Sequence, residues 1–290
     1  MQQTKRSRHR HMTSFQVISL GFLSVILLGS LLLMLPIATK SGQCTSFLDA
    51  LFTSTSAVCV TGLVINDTAT YWSLFGQGVI LLLIQIGGMG IITIAIAIAV
   101  VSGRKIGLMQ RSTMQEAISA PTVGGIVRRT QFIIRTTILI EIIGAALLAP
   151  VFCRDFGFWK GIWYSLFHSI SAFCNAGFDL IGIRTPFSSL TSYSVQPIIN
   201  LVIMALIVAG GIGFLTWEDI KIHKWHFKKY RMQSKVIFMV TGLLIFLPAL
   251  YFFCFEFSNV PLTERVWVSL FQSVTPRTAA VSYTHLTLPT

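Results

Sequence analysis

Five apolar stretches limit what this chain can fold into more than any other feature, because each is long enough to cross a lipid bilayer. They are Phe15–Leu35, Phe75–Val101, Phe132–Phe152, Val195–Leu215 and Val236–Phe257. The first would span about 31 Å as a helix, which is the thickness of the hydrocarbon core. A chain that is 53% hydrophobic and 11% charged is too apolar for a soluble domain. The sequence therefore predicts an all-α polytopic membrane protein.

The distribution of positive charge predicts how the chain is oriented. Most of its Lys and Arg residues fall in three segments, the N-terminus and residues 104–135 and 221–235. Because cytoplasmic segments carry this excess, we expect the N-terminus to be cytoplasmic in the cell membrane and the first stretch to remain as an anchor. The net charge of +12 could also indicate nucleic-acid binding, but the membrane context disfavours it. The five Cys residues lack CxxC spacing, so free thiols are expected rather than a zinc site.

A sequence repeat separates the apolar stretches. Leu51–Gly62 and Leu166–Gly177 share the pattern Leu-Phe-x-Ser-x-Ser-Ala-x-Cys-x-x-Gly, and Leu270–Ala279 is a weaker third copy. The motif Gly-Gly-x-Gly-x-x-Thr follows the first two copies at Gly87–Thr93 and Gly210–Thr216. In that motif, close helix packing is a better explanation of the glycines than a moving hinge.

These copies predict tandem parallel helix–pore-loop–helix repeats around a central pore, since every copy enters and leaves on the cytoplasmic side. The predicted organisation is a basic N-terminus (1–13), a first repeat (14–101), a linker (102–130), a second repeat (131–217), a basic linker (218–235) and an incomplete third repeat (236–279). Residues 280–290 are interpreted as a non-native tail.

The loops have the chemistry of a monovalent cation filter. Non-helical backbone at membrane depth implies a water-filled cavity, and the C-terminal end of the preceding half-helix favours cations. Glycine tolerates positive φ and so allows carbonyl oxygens to turn toward one axis, where they can replace the hydration shell of K⁺. A single glycine would be better explained as a turn residue, but its recurrence favours a filter. The candidate filter residues are Val60, Thr61, Gly62, Asn175, Ala176 and Gly177.

The motifs together resemble a known family. They are TSTSAVCVTGL (53–63), QIGGMGIIT (85–93), GRKIGLMQR (103–111), HSISAFCNAGFD (168–179) and SVTPRTA (273–279). They are similar to the Trk/Ktr/HKT superfamily of potassium transporters, and most similar to its bacterial KtrB branch. The resemblance implies four repeats around one potassium pathway, of which about two and a half are present here. It adds Thr278 and Ala279 to the filter, although Ala280 stands where the family has the third filter glycine.

The resemblance also implies cargo and partners. K⁺ would be the transported ion, with Na⁺ as an activator or co-ion and no covalently bound cofactor. The protein would be a homodimer in the lipid bilayer, gated by a cytoplasmic nucleotide-binding ring similar to KtrA. The basic segments 104–129 and 221–235 would dock that ring, or would serve only to orient the chain.

Three further residues are candidates for a role near the pathway. Glu141 lies inside an apolar stretch, where a carboxylate could couple transport to H⁺ or Na⁺ or could pair with a neighbouring helix. Arg277 would stand in the third loop and limit flux there or bind pore-helix carbonyls. His168 aligns with Thr53 and Gln272, so a polar side chain is enough at that point.

Two other functions are alternatives to a filter. An alternating-access cation symporter, coupled to Na⁺ or H⁺, is the main alternative, although it would more often show inverted repeats. An enzyme is disfavoured because the sequence has no cluster of nucleophile, base and metal ligands.

Overall fold

A computed structural model describes residues 13–91, 93–95, 115, 125–183, 187, 189–194 and 196–278. This part of the chain is built from α-helices, short 3₁₀ turns and a π-helical turn, without a β-strand. The helices are α1 (Ser14–Met34), α2 (Phe47–Val58), α3 (Thr68–Tyr71), α4 (Leu74–Met89), α5 (Ile126–Phe156), α6 (Phe158–Phe173), α7 (Pro197–Gly211), α8 (Phe214–His223), α9 (Met232–Tyr251) and α10 (Leu262–Thr278). The prediction of an all-α polytopic protein is confirmed.

Three of these helices are long and apolar enough to cross a membrane on their own. They are α1, α5 and α9, the last continued by a π-helical turn to Glu256. Their outer faces expose large apolar side chains, among them Phe15 and Met239. Such continuous apolar exposure suits contact with lipid tails.

A glycine interrupts the helix in both the second and the fourth predicted spans. Helix α4 ends at Met89 and α7 ends at Gly211, and Gly90 and Gly213 both have φ of +81°. Helix α8 then leaves the direction of α7 at 97°. The apolar stretch Val195–Leu215, predicted as one membrane-spanning segment, is thus divided between α7 and α8, since left-handed backbone cannot continue a right-handed helix. The end of the predicted span Phe75–Val101 lies outside the described residues.

The two short helices that begin the predicted pore loops pack against the long helices beside them. Ser54 of α2 donates a hydrogen bond to the Ile26 carbonyl of α1 at 2.8 Å, and Ser169 of α6 donates one to the Glu141 carbonyl of α5 at 2.7 Å. Gly29 lies against the Ser54 side chain. The same hydrogen bond thus occurs twice in the chain, at positions 115 residues apart. It fixes the position of each short helix along the long helix beside it.

The interior of the bundle is packed with large side chains between these helices. Trp72, Phe152, Phe167 and Phe271 are fully buried. Phe152 and Tyr193 meet edge to face, with ring centroids 5.6 Å apart. This core holds the short helices α2, α6 and α10 within one continuous cluster.

Candidate functional site

The first predicted loop begins with a Schellman cap at the end of α2. The Thr61 amide donates to the Ser56 carbonyl at 2.9 Å, and the Val60 amide donates to the Ala57 carbonyl at 3.3 Å. Val60 has φ of +57°, the left-handed conformation that this cap requires. A β-branched residue rarely adopts this conformation, so the first loop stores backbone strain at Val60.

The second predicted loop repeats this geometry at the end of α6. The Ala176 amide donates to the Ser171 carbonyl at 2.8 Å, and the Asn175 amide donates to the Ala172 carbonyl at 3.1 Å. Asn175 has φ of +61° and Gly177 has φ of +75°. Asn tolerates left-handed backbone better than Val does, so this loop carries less strain.

Left-handed residues alternate with an ordinary one in both loops. Gly62 has φ of +75°, as Gly177 does, and the residue between each left-handed pair, Thr61 or Ala176, has negative φ. In an extended strand successive peptide groups face opposite sides, whereas left-handed residues break this alternation and can bring neighbouring carbonyls to one side. Both glycines thus adopt the positive φ that glycine tolerates.

Side chains of the short helices hold the loops in place. Thr61 donates to the Ser56 hydroxyl at 2.9 Å in the first loop. Ser171, at the position equivalent to Ser56, donates to the Phe178 carbonyl at 2.6 Å in the second.

His168 fastens the segment that follows the second loop. Its Nε2 accepts the Leu180 amide at 3.3 Å, and its Nδ1 lies 2.8 Å from the Tyr164 carbonyl. These contacts indicate that Nδ1 carries the proton, because Nε2 must be free to accept. His168 therefore ties the chain after Gly177 to α6.

Glu141 is buried and bonded to a neighbouring helix. Gln85 of α4 donates its side-chain amide to both carboxylate oxygens of Glu141, at 2.9 and 3.2 Å. The side-chain oxygen of Gln85, Oε1, lies 3.9 Å from the Cys174 thiol, and Cys174 is the C-cap of α6 just before Asn175. Of the two roles open to Glu141, the structure shows pairing with a neighbouring helix, and Gln85 connects that pair to the second loop.

The third predicted loop is placed differently from the expectation. Helix α10 runs through Pro276 to Thr278, so the backbones of Arg277 and Thr278 are helical. The expectation that Arg277 stands in a loop is wrong, because α10 includes this residue. Helices α2 and α6 likewise include the equivalent positions of the first two sequence copies. Ala279 lies outside the described residues.

Two carboxylates lie on the connections that follow the loops. Asp67 caps α3 through the Thr70 amide at 2.8 Å and accepts the Phe187 amide at 3.0 Å. Asp179 follows Gly177 and accepts the Ile181 amide at 3.0 Å, and burial raises the pKa of its carboxyl. Over the residues that the structure describes, no three His, Cys, Asp or Glu side chains converge as ligands of a tightly held metal ion.

The structure contains an ion-pair cluster near the N-terminal ends of α5 and α9 that the sequence did not predict. Glu218 of α8 pairs with Arg129 at 3.0 Å and with Arg231 at 2.9 Å, and Arg231 also approaches Asp219 at 3.2 Å. The cluster joins the first turn of α5 and the N-cap residue of α9 to α8. Only the tertiary structure could identify it, because Arg129 lies 89 residues from Glu218.

A cavity of about 640 Å³ lies where α4 and α7 are interrupted. Its wall includes Gly90, Gly213, Phe22, Arg129 and Glu218. The cavity is therefore bordered both by the glycines that interrupt α4 and α7 and by residues of the ion-pair cluster.

Comparison with known proteins gives a consistent result. The TrkH family model, described as a cation transport protein, matches residues 1–286. The potassium/sodium uptake protein NtpJ of Enterococcus hirae is 42% identical over 280 residues, covering 95% of this chain and 60% of that protein. The Ktr system potassium uptake protein B of Bacillus subtilis is 40% identical over 285 residues, covering 96% of this chain and 62% of that protein. The protein of the same name from Vibrio alginolyticus is 33% identical over 280 residues, covering 94% and 60%.

Proposed function

Since the chain belongs to the TrkH family of cation transport proteins, we propose that it forms part of a potassium-uptake pathway in the membrane. The chain spans about 60% of the length of the relatives it matches, so the pathway belongs to the longer protein. Those relatives are named as uptake proteins rather than enzymes. Transport of an ion down the membrane potential needs no covalent chemistry, since 100 mV supplies about 2.3 kcal/mol per charge.

One observation carries this proposal, the recurrence of the same cap hydrogen bonds and left-handed φ values in the two loops. Val60 and Asn175 have left-handed φ values that differ by 4°, +57° and +61°. Gly62 and Gly177 both have φ of +75°. Neither loop contains a carboxylate between its helix cap and its glycine. Neutral carbonyl oxygens hold a monovalent cation weakly enough for it to leave again. The loops would thus form a filter with one glycine per repeat.

The orientation and partners of the protein follow from the same reasoning. The N-terminus and the ion-pair cluster of Arg129, Glu218 and Arg231 would face the cytoplasm, because the basic segments lie there. A homodimer and a cytoplasmic nucleotide-binding ring would complete the system. Since Arg129 and Arg231 already pair with Glu218, the exposed Lys224, Lys228 and Lys229 are the better candidates for contact with that ring.

A symporter is the second candidate, and Glu141 is the observation that favours it. A buried carboxylate within a membrane helix can exchange a proton or bind Na⁺. Uptake that requires an Na⁺ or H⁺ gradient, and that Glu141→Gln abolishes, would support this alternative over a passive filter.

Potassium rescue tests the main proposal. The complete gene, sequenced beyond Ala279, is expressed in a bacterium that lacks potassium uptake and grown at submillimolar K⁺, alone and with the ring subunit. We expect rescue by the wild type and loss of rescue with Gly62→Ala and Gly177→Ala, since alanine is strained at φ of +75°.

Gly42→Ala is the matched control, because Gly42 also has positive φ, of +70°, and no atom within 4 Å of its added Cβ, yet lies outside both loops. Equal growth of all four strains would contradict the filter assignment. A wild type that inserts into the membrane but gives no rescue, even with the ring subunit, would contradict potassium uptake itself.

A further inference from the structure

Each helix that follows a loop has a glycine that contacts the backbone at the residue where that loop starts. A Cβ on Gly87 of α4 would lie 2.0 Å from the Val58 carbonyl oxygen, and a Cβ on Gly210 of α7 would lie 1.8 Å from the Phe173 carbonyl oxygen. Val58 and Phe173 are the last residues of α2 and α6. The helix after each loop is therefore in backbone contact with the helix before it, at the residue where the loop starts.

This contact leaves no space for any other residue. Real Cβ atoms essentially never lie within 3.0 Å of another heavy atom, so an alanine would have to displace the carbonyl by about 1 Å. The obstructing atom is backbone, and it cannot rotate away as a flexible side chain would. The carbonyl precedes Val60 in one loop and Asn175 in the other by two residues, so its displacement reaches the Schellman cap directly.

Other glycines of α4 do not approach the carbonyl that ends a short helix before a loop. Gly78 has no atom within 4 Å of an added Cβ, and a Cβ on Gly88 would first meet the Cys174 side chain, with Sγ at 2.5 Å. A Cβ on Gly76 would lie 2.3 Å from a carbonyl oxygen, but that carbonyl belongs to Ala38, which lies before α2 and outside both loops. Within α4 the approach to the last carbonyl of α2 is made by Gly87, and Gly210 of α7 makes the equivalent approach to α6. The same contact therefore occurs in two different helices, α4 and α7.

We propose that Gly87 and Gly210 are positioning residues for the two filter loops, each fixing the carbonyl at which its loop begins. The proposal rests on the filter function proposed above. Each glycine presents a Cα hydrogen to the carbonyl, and this contact fixes the distance between α4 or α7 and the loop. Because selectivity depends on where the loop oxygens stand, the glycines act on ion choice through the loop and without touching the ion.

Ion selectivity in the full-length protein tests this proposal. Gly87→Ala, Gly210→Ala and the control Gly78→Ala are reconstituted, and the preference for K⁺ over Na⁺ is measured in flux assays together with the apparent KM for K⁺. We expect the first two variants to lose at least about threefold in K⁺ preference, since displaced carbonyls fit K⁺ less well. Gly78→Ala should keep the wild-type preference.

A second measurement covers variants that transport too little to assay. The rise in unfolding temperature in KCl relative to NaCl is recorded on purified protein, and it should shrink for Gly87→Ala and Gly210→Ala but not for Gly78→Ala. Unchanged K⁺ preference in both variants would overturn the proposal while leaving the filter function intact. Failure of both variants to accumulate in the membrane, when Gly78→Ala accumulates, would also overturn it, because the glycines would then serve folding. A wild type that shows no flux at all would instead refute the filter function.

Discussion

Replacing both members of the Gln85–Glu141 pair should cost less than replacing either one. At the positions equivalent in the sequence repeat, α1 has Ile26 in place of Glu141, and α7 has Val208 in place of Gln85. Both apolar residues pack against the hydrophobic core without a polar partner of this kind. The equivalent helix positions elsewhere in this chain therefore accept apolar side chains.

The size of the effect follows from burial and from the two hydrogen bonds. Glu141 is 5% exposed, and Gln85→Val would remove the one side-chain amide that donates to its two carboxylate oxygens, at 2.9 and 3.2 Å. A buried polar group left without a partner costs about 1–3 kcal/mol. Glu141→Ile would leave the Gln85 amide unpaired at a similar cost. In the double variant neither group remains, so its cost should fall below that of either single variant, which requires a coupling energy at least as large as one single cost, about 1–3 kcal/mol.

A double-mutant cycle on the full-length protein measures this coupling. Unfolding free energies of the wild type, both single variants and the double variant are obtained by denaturant titration in mixed micelles. Gln85→Glu/Glu141→Gln, which exchanges the two side chains, is a useful control because it keeps one amide and one carboxyl at the site. Additive single effects, or a double variant less stable than either single one, would refute the argument that these groups stabilise each other.

Three other substitutions test separate contacts. Asn175→Val should destabilise the protein by about 1–2 kcal/mol in thermal unfolding, since it would put a second β-branched residue, like Val60, in left-handed backbone, whereas Asn175→Gly should stay close to wild type. His168→Leu should cost about 1–3 kcal/mol because it leaves the Leu180 amide without its acceptor, and His168→Gln should recover part of this loss. Glu218→Gln should cost about 1 kcal/mol at low ionic strength and less at high salt, because it removes the partner of two arginines; a salt-independent loss would contradict this explanation.

Much of the loop geometry could be predicted because it depends on local sequence. The recurrence of Gly62 and Gly177 in one pattern indicated that both loops would use the tolerance of glycine for positive φ. The left-handed conformation of Val60 could not be predicted from its residue type, since β-branched residues avoid it. It is imposed by the Schellman cap at the end of α2, and the equivalent Asn175 was the one available hint.

The helix boundaries show where this kind of prediction fails. Apolar composition continues through Gly210–Leu215 without interruption, so hydropathy gives one span. The break at Gly213 depends on a single backbone angle that composition does not reveal. In the third repeat, α10 extends through Pro276, so Arg277 lies on a helix although the sequence suggested a loop.

The sequence by itself determined the class of protein, since long apolar stretches can satisfy their backbone in a bilayer only as helices. It also determined that two segments 115 residues apart have the same local structure, because identical local patterns favour identical caps and turns. The tertiary structure alone decided which groups meet across helices: Gln85 with Glu141, Glu218 with two arginines, and Gly87 with the Val58 carbonyl. Those contacts depend on the distance and rotation between packed helices, which are set by the whole core and not by any segment of the chain.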